Sequence, residues 1–225
     1  MQDKNLKFEN CTFVISRFNE EESSFSWAKG LKNYIIYNKG NPNELSKEIL
    51  SHTINKENYG KDVECIFSYI IDNYNNLPEI VAFIQAEIKP HYYYPSSAQF
   101  LKAVSTIGKS GISEGLKNNI HHAPPRHLNF SYFNLKEWPS GNLIENYKPE
   151  YTLSKWWQDN SGEEYVPSSR IFFGCIFGVS KHLILRRPRE FYIKLREPLL
   201  QYKNPIETHF VERAWPNIFK IESFN

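Results

Sequence analysis

The chain opens on polar residues over positions 1–10, which predicts a frayed end or an edge. A short apolar run follows at 12–16 (Thr12, Phe13, Val14, Ile15, Ser16), rich in β-branched and aromatic side chains and bounded by polar residues. That pattern predicts a buried strand. The next regular segments are a short helix over 24–31 carrying Trp27, and a second strand over 33–37. The cluster Asn38, Lys39, Gly40, Asn41 and Pro42 closes that strand with a turn, since glycine and proline punctuate regular structure most strongly. A weak helix is expected over 44–50.

The clearest helix covers 61–74, where Val63, Ile66, Phe67, Ile70, Ile71 and Tyr74 fall on one face of a 3.6-residue period. Asp62 and Glu64 lie in its first turn, where the macrodipole favours acids. A third strand over 80–86 is apolar almost throughout. Strands alternating with helices predict an α/β fold with a mostly parallel sheet and right-handed crossovers. In such sheets ligands bind beyond the carboxyl ends of the strands. Here those ends are 17–20, 38–41 and 85–91.

Beyond this, a helix is expected over 98–107. Turn residues and aromatics then dominate 108–169, which predicts irregular structure packed over the sheet. A glycine-bearing strand is expected over 171–179 and a short helix over 180–185, capped by Ser180. A helix over 188–202, kinked by Pro198, precedes a final helix opened by Asn204 and Pro205 that reaches 219 with a break near Pro216. The 225 residues fit one large domain.

Composition narrows the function classes. Hydrophobic residues make up 40% and charged residues 23%, values of a globular chain rather than a disordered or fibrous one. The net charge of +2 demands no nucleic-acid partner. Aromatics reach 16%, enough to fill a core and also to line sugar or nucleobase sites. Cys11, Cys65 and Cys175 are odd in number and far apart, so they read as buried reduced thiols rather than a zinc ribbon or a redox pair. No apolar run is long enough for a membrane span and the start has no signal-peptide core, so a cytoplasmic chain is expected.

No P-loop, Gly-x-Gly-x-x-Gly, Gly-x-Ser-x-Gly or His-Glu-x-x-His pattern occurs. The group His121, His122 and His127 has metal-compatible residue types, but its spacing matches no standard zinc site. Gln85 and Glu87 flank Ala86 at the end of the third strand, and their oxygens suit a hard cation. Glu207 lies three residues after Asn204, which fits a capping box and equally a general base that activates a hydroxyl. His209 and Glu212 share a face of the same helix and could meet a metal or an acceptor. Lys181, His182, Arg186, Arg187 and Arg189 form a basic run suited to a solvated face or to a diphosphate.

Several segments together resemble the uncharacterised domain-of-unknown-function family 3431. They are 14–20 with Trp27, 36–40, 60–62, 69–78, 83–85, 177–180, 187–192 and 212–219. The opening segments also look like the start of a GT-A type glycosyltransferase domain. That resemblance implies a single GT-A-like, Rossmann-like domain with a mostly parallel central sheet and helices on both faces. It implies transfer of a sugar from a nucleotide-diphospho-sugar donor to a glycan or other hydroxyl acceptor, inverting with a carboxylate base. In such enzymes the ends of the first two strands hold the nucleoside, which here places Arg17, Asn19, Glu20, Asn38 and Lys39 at the donor, with Gln85 beside them. Glu207 is then the candidate base and Glu212 the second. Gly174, on the late strand, and Trp157 would belong to the sugar and acceptor pocket. The usual Asp-x-Asp metal motif reads Gln85-Ala86-Glu87 here, which leaves Glu87 and His209 as candidate ligands for Mn²⁺ or Mg²⁺. A carbohydrate- or partner-binding module without catalysis is the alternative.

Overall fold

The computed structural model describes residues 8–87, 97–105, 144–146, 148, 150–167 and 175–221. The expectations for positions 1–7, for most of 108–169 (the three histidines included) and for Gly174 lie outside those residues. The chain divides into two compact units, one of 1–58, 75–119 and 174–184, the other of 59–74, 120–173 and 185–225.

The first unit is built on one sheet. Its strands are β1 (Cys11–Arg17), β2 (Tyr34–Asn38), β3 (Thr53–Asn55), β4 (Ile80–Gln85) and β5 (Phe177–Ser180), in the order β3-β2-β1-β4-β5. β1 runs parallel to β2 with Phe13 opposite Tyr34, and parallel to β4 with Phe13 opposite Ala82. β2 and β3 are parallel, whereas β4 and β5 are antiparallel. The sheet is therefore mixed and mostly parallel, as the three apolar runs predicted. Phe13, Val14 and Ile15 are all buried, as are Val81 through Ile84. Adjacent residues on a strand point to opposite faces, so both faces of the central strands are covered, as parallel strands require.

Short elements complete this unit. The expected 24–31 helix is a 3₁₀ segment, Glu22–Gly30. The weak 44–50 helix is a 3₁₀ turn, Pro42–Glu44, followed by α1 (Lys47–Leu50), which Ser46 caps through the Ile49 N–H. The 98–107 segment forms α3 (Ser97–Ser105). Ser180 caps α5 (Lys181–Ile184) by accepting from Leu183 N at 3.4 Å.

The second unit holds α2 (Lys61–Asp72), α4 (Leu153–Ser161), α6 (Arg189–Arg196) and α7 (Ile206–Ile218). α4 falls inside the stretch expected to be irregular. Thr152 caps it through Lys155 N, and Gly162 closes it in the left-handed region at φ 72°. The proline-led helix ends at Arg196, and a 3₁₀ turn, Glu197–Leu200, absorbs Pro198. α7 carries Pro216 inside without the expected break. The core of this unit is aromatic: Phe67 lies 5.5 Å from Trp215 and 6.2 Å from Tyr192, and Trp156 lies 5.7 Å from Phe210, between ring centroids. Glu64, buried on α2, accepts from Arg196 Nη2 at 2.8 Å and from Ser68 Oγ at 2.6 Å. Cys11, Cys65 and Cys175 are buried thiols, and burial pushes the Cys11 thiol up to about 12.

Candidate functional site

The strand order places a topological switch at β1. The chain proceeds from β1 through β2 to β3 on one side, then returns to add β4 on the other. Connections leaving two adjacent parallel strands in opposite directions open a crevice beyond their carboxyl ends. The residues there are Arg17 to Glu20 after β1, Asn38 to Gly40 after β2, and Gln85 to Glu87 around the end of β4.

Arg17 is buried and organises this end. Its Nε donates to Glu20 O at 2.9 Å, Nη1 to Asn38 Oδ1 at 2.8 Å and to Asn41 O at 3.2 Å, and Nη2 to Glu44 Oε2 at 2.7 Å. Asn38 extends the network by donating to Asn55 Oδ1 at 2.9 Å and to Gly40 O at 3.1 Å. The ends of β1, β2 and β3 are thereby tied into one polar knot. Gly40 sits so close to the chain after β1 that an added Cβ would lie 1.4 Å from Phe18 O. Glu20 folds back so that its Oε2 accepts from Phe18 N at 2.7 Å. Phe18 and Asn19 face solvent, with Phe18 45% exposed. Lys39 is buried, and its N–H donates to Arg17 O at 2.8 Å. Gln85 pairs opposite Ser16, and Ala86 N donates to Ser16 O at 2.8 Å. Glu87, just beyond, is half-buried. The six donor-site candidates thus share the carboxyl edge of one sheet. Arg17 and Asn38 hold the edge, while Asn19 and Glu20 lie at its surface.

In the second unit, α7 carries Glu207, His209 and Glu212. The expected capping box is not formed. Pro205 occupies the cap position without a side-chain bond, because proline favours the entry to a helix and displaces Asn204 by one residue. Asn204 instead directs its Oδ1 at His209 Nε2, 3.3 Å away. Asn146 takes the capping role: its Oδ1 accepts from Ile206 N at 2.7 Å and its Nδ2 donates to Glu207 Oε2 at 2.7 Å. Burial pushes the Glu207 carboxyl above the usual carboxylate range, and the Asn146 hydrogen bond partly offsets this. Burial likewise holds the His209 imidazole down to about 3, helped by the positive charges of Lys61 and Arg213. Glu212 is half-buried and lies 3.6 Å from Arg213 Nη1.

The metal and sugar-pocket expectations fare differently. His209 is buried, and its Nε2 lies 3.3 Å from Asn204 Oδ1, a protein partner at the place where a metal would have to sit. Among the described residues no group of three or more His, Cys, Asp or Glu side chains could hold a metal ion. Among the described residues at this edge, Glu87 and Gln85 offer one carboxylate and one amide, fewer oxygen ligands than a divalent cation takes from a dedicated protein site. Trp157 is fully buried. Its ring lies 6.4 Å from Tyr165 and 6.1 Å from Phe191, with the Arg187 guanidinium 5.5 Å over it, so it serves packing and presents no open face to a sugar. Arg187, from the basic run, is buried in a two-pronged pair with Glu163 at 2.6 Å and also donates to Ile218 O and Asn217 O. Arg189 donates to Ile71 O. Both arginines therefore act as structural donors.

Sequence reasoning missed Asn146, Glu44 and Asn55. Glu44 and Asn55 carry no motif; only their place after strands that end side by side brings them to Arg17 and Asn38. Asn146 lies in a stretch with no periodicity, and its partners are 60 and 61 residues away.

A family model described as a protein of unknown function (DUF3431) matches residues 13–225. No curated protein and no solved structure matches the chain.

Proposed function

The chain belongs to the DUF3431 family, and we propose that it is a glycosyltransferase moving a sugar from a nucleotide-diphospho-sugar to a hydroxyl acceptor. The observation that carries this reading is the switch at β1, where the parallel strands β1, β2 and β4 end together in polar residues. Nucleotide ligands favour that place because the strand ends and the loops after them present backbone and side-chain polar groups to one crevice. In this proposal Asn19, Glu20, Lys39, Gln85 and Glu87 contact the donor, and Arg17 and Asn38 fix the edge on which they sit.

The base half of the reading rests on Glu207. A buried carboxylate whose proton affinity is raised above the ordinary range is better suited to take a proton from an acceptor hydroxyl. The leaving diphosphate needs a compensating positive charge. Lys39 is the candidate from this chain, and any Mn²⁺ or Mg²⁺ would depend on the donor's own phosphates for most of its ligands.

One observation favours the alternative of a carbohydrate- or partner-binding module. Arg17, the guanidinium at the β1 end, is already committed to four protein acceptors, leaving less positive charge for a diphosphate. A thermal-shift screen of UDP, GDP, CMP and their sugars, with and without Mn²⁺, separates the two. Stabilisation by a nucleoside diphosphate supports the transferase, and stabilisation by free glycans alone supports the module. In a transfer assay with the donor so found, Glu207→Gln should lower turnover by at least about 10²-fold while donor affinity holds. Transfer at the wild-type rate would remove Glu207 as the base and make Glu212 the next carboxylate to test.

A further inference from the structure

Residues 144–146 lie alongside the entry to α7 and exchange four hydrogen bonds with it. Glu145 N donates to Asn204 O at 3.2 Å, and Asn204 N donates to Glu145 Oε1 at 2.8 Å. Ile206 N donates to Asn146 Oδ1 at 2.7 Å, and Asn146 Nδ2 donates to Glu207 Oε2 at 2.7 Å. Capping a helix needs only an acceptor for its first N–H groups. The Asn146 oxygen meets that need by itself, and a serine or aspartate would do the same. The second bond is surplus to capping. It is made by the other end of the same amide, to the carboxylate that the helix carries into a buried site.

We infer that Asn146 is a positioning residue for Glu207, fixing the carboxylate by its amide N–H while its amide oxygen fixes the helix end. The inference rests on the reading of Glu207 as a general base, but the pairing itself is testable without any activity. With Oε2 held, Oε1 is left as the proton acceptor; among the described residues no side chain donates to it. The surroundings explain why a neutral donor occupies this place. Tyr151, whose hydroxyl is pushed up to about 12 by burial and by the Glu207 charge, is a titratable group that senses the carboxylate. On α7 itself, Arg213 gives its Nη1 to His209 O at 2.7 Å and lies 3.6 Å from Glu212. A cation at position 146 would hold Glu207 deprotonated and make it a weak base. An amide orients the carboxylate and leaves its proton affinity high.

Asn146→Asp separates the two roles, because aspartate keeps the capping oxygen and loses the donor. The Glu207 carboxyl is followed by ¹³C NMR titration and assigned by its disappearance in Glu207→Gln. If Asn146 positions the carboxylate, the Glu207 midpoint rises in Asn146→Ala and rises further in Asn146→Asp, where two acids share one site. If transfer is detected, the acid limb of its pH–rate profile rises with it. Wild-type protein supplies a second readout that survives any folding defect in the variants. The Asn146 side-chain amide resonances should shift with the Glu207 midpoint and lose that dependence in Glu207→Gln. An unchanged Glu207 midpoint in folded Asn146→Asp, or amide resonances of Asn146 that do not follow it, would overturn the inference and leave Asn146 a cap. Wild-type transfer by Glu207→Gln, with the coupled titration intact, would instead remove the base reading and leave the pairing standing.

Discussion

Arg17 and Asn38 lock the carboxyl ends of two neighbouring parallel strands together, Nη1 donating to Oδ1 at 2.8 Å, and the Asn38 amide passes the link on to Asn55 beside it. Because the guanidinium serves four acceptors in different directions, no other side chain can replace it. Arg17→Lys keeps the charge but loses most of these bonds. It should cost about 2–4 kcal/mol, read as a lower urea midpoint at unchanged slope. Stability within about 0.5 kcal/mol of wild type would show that the knot contributes little.

Gly40 is the second support of this edge. An alanine Cβ would meet Phe18 O at 1.4 Å and Phe18 C at 2.6 Å, and both are backbone atoms that cannot rotate away. Gly40→Ala should therefore cost more than the ordinary overpacking penalty of about 1–3 kcal/mol. It should also shift the amide resonances of Phe18 and Asn19 more than those of β3. A variant that melts like wild type would mean that the two loops approach less closely than the structure has them.

His209 predicts a pH dependence of stability. Its imidazole stays neutral in the folded chain down to about 3, against an unfolded value near 6.5. Between those two values the unfolded chain binds the extra proton, so stability is complete above about pH 6.5 and falls as pH drops. The limiting slope for one proton is about 1.4 kcal/mol per pH unit. Glu207 acts in the opposite sense over its own window. Its raised carboxyl binds its proton first in the folded state, so acidification through that window favours folding. Denaturant midpoints of wild type and His209→Gln from pH 7 to pH 4 should converge as pH falls. Parallel curves would show that His209 ionises as freely folded as unfolded.

How much of this could be read from the chain depended on where each signal lay. β1, β2 and β4 were legible because central parallel strands are covered on both faces and read as unbroken apolar runs. β3 was missed: its three residues pair with one neighbour, and Ile54 is 41% exposed, so its pattern is that of a loop. α4 had its marks, with Leu153, Trp156 and Trp157 at helical spacing between Thr152 and Gly162, but the aromatics around it concealed the period. Of the candidate site, the sequence placed the strand-end residues on one edge of the sheet but not their hydrogen-bond partners. Arg17 could be placed at the edge from its position after β1, yet its partners Asn38, Asn41 and Glu44 come from chain 21 to 27 residues on. The spacing of Asn204 and Glu207 satisfied a capping box, and Pro205 between them defeated it. No local rule connects Asn146 to Glu207, because that contact belongs to the tertiary fold.

The central claim is that a nucleoside diphosphate binds at the carboxyl ends of β1, β2 and β4, and amide chemical-shift mapping tests it most directly. Isotopically labelled protein is titrated in turn with UDP, GDP and the corresponding nucleotide-sugars. Saturable shifts are expected with one of them, concentrated at 17–20, 38–40 and 85–87 and sparing Cys11, Tyr34 and Ile80 at the opposite ends of the same strands. Shifts centred on those opposite ends, or no saturable shift with any nucleotide, would contradict it.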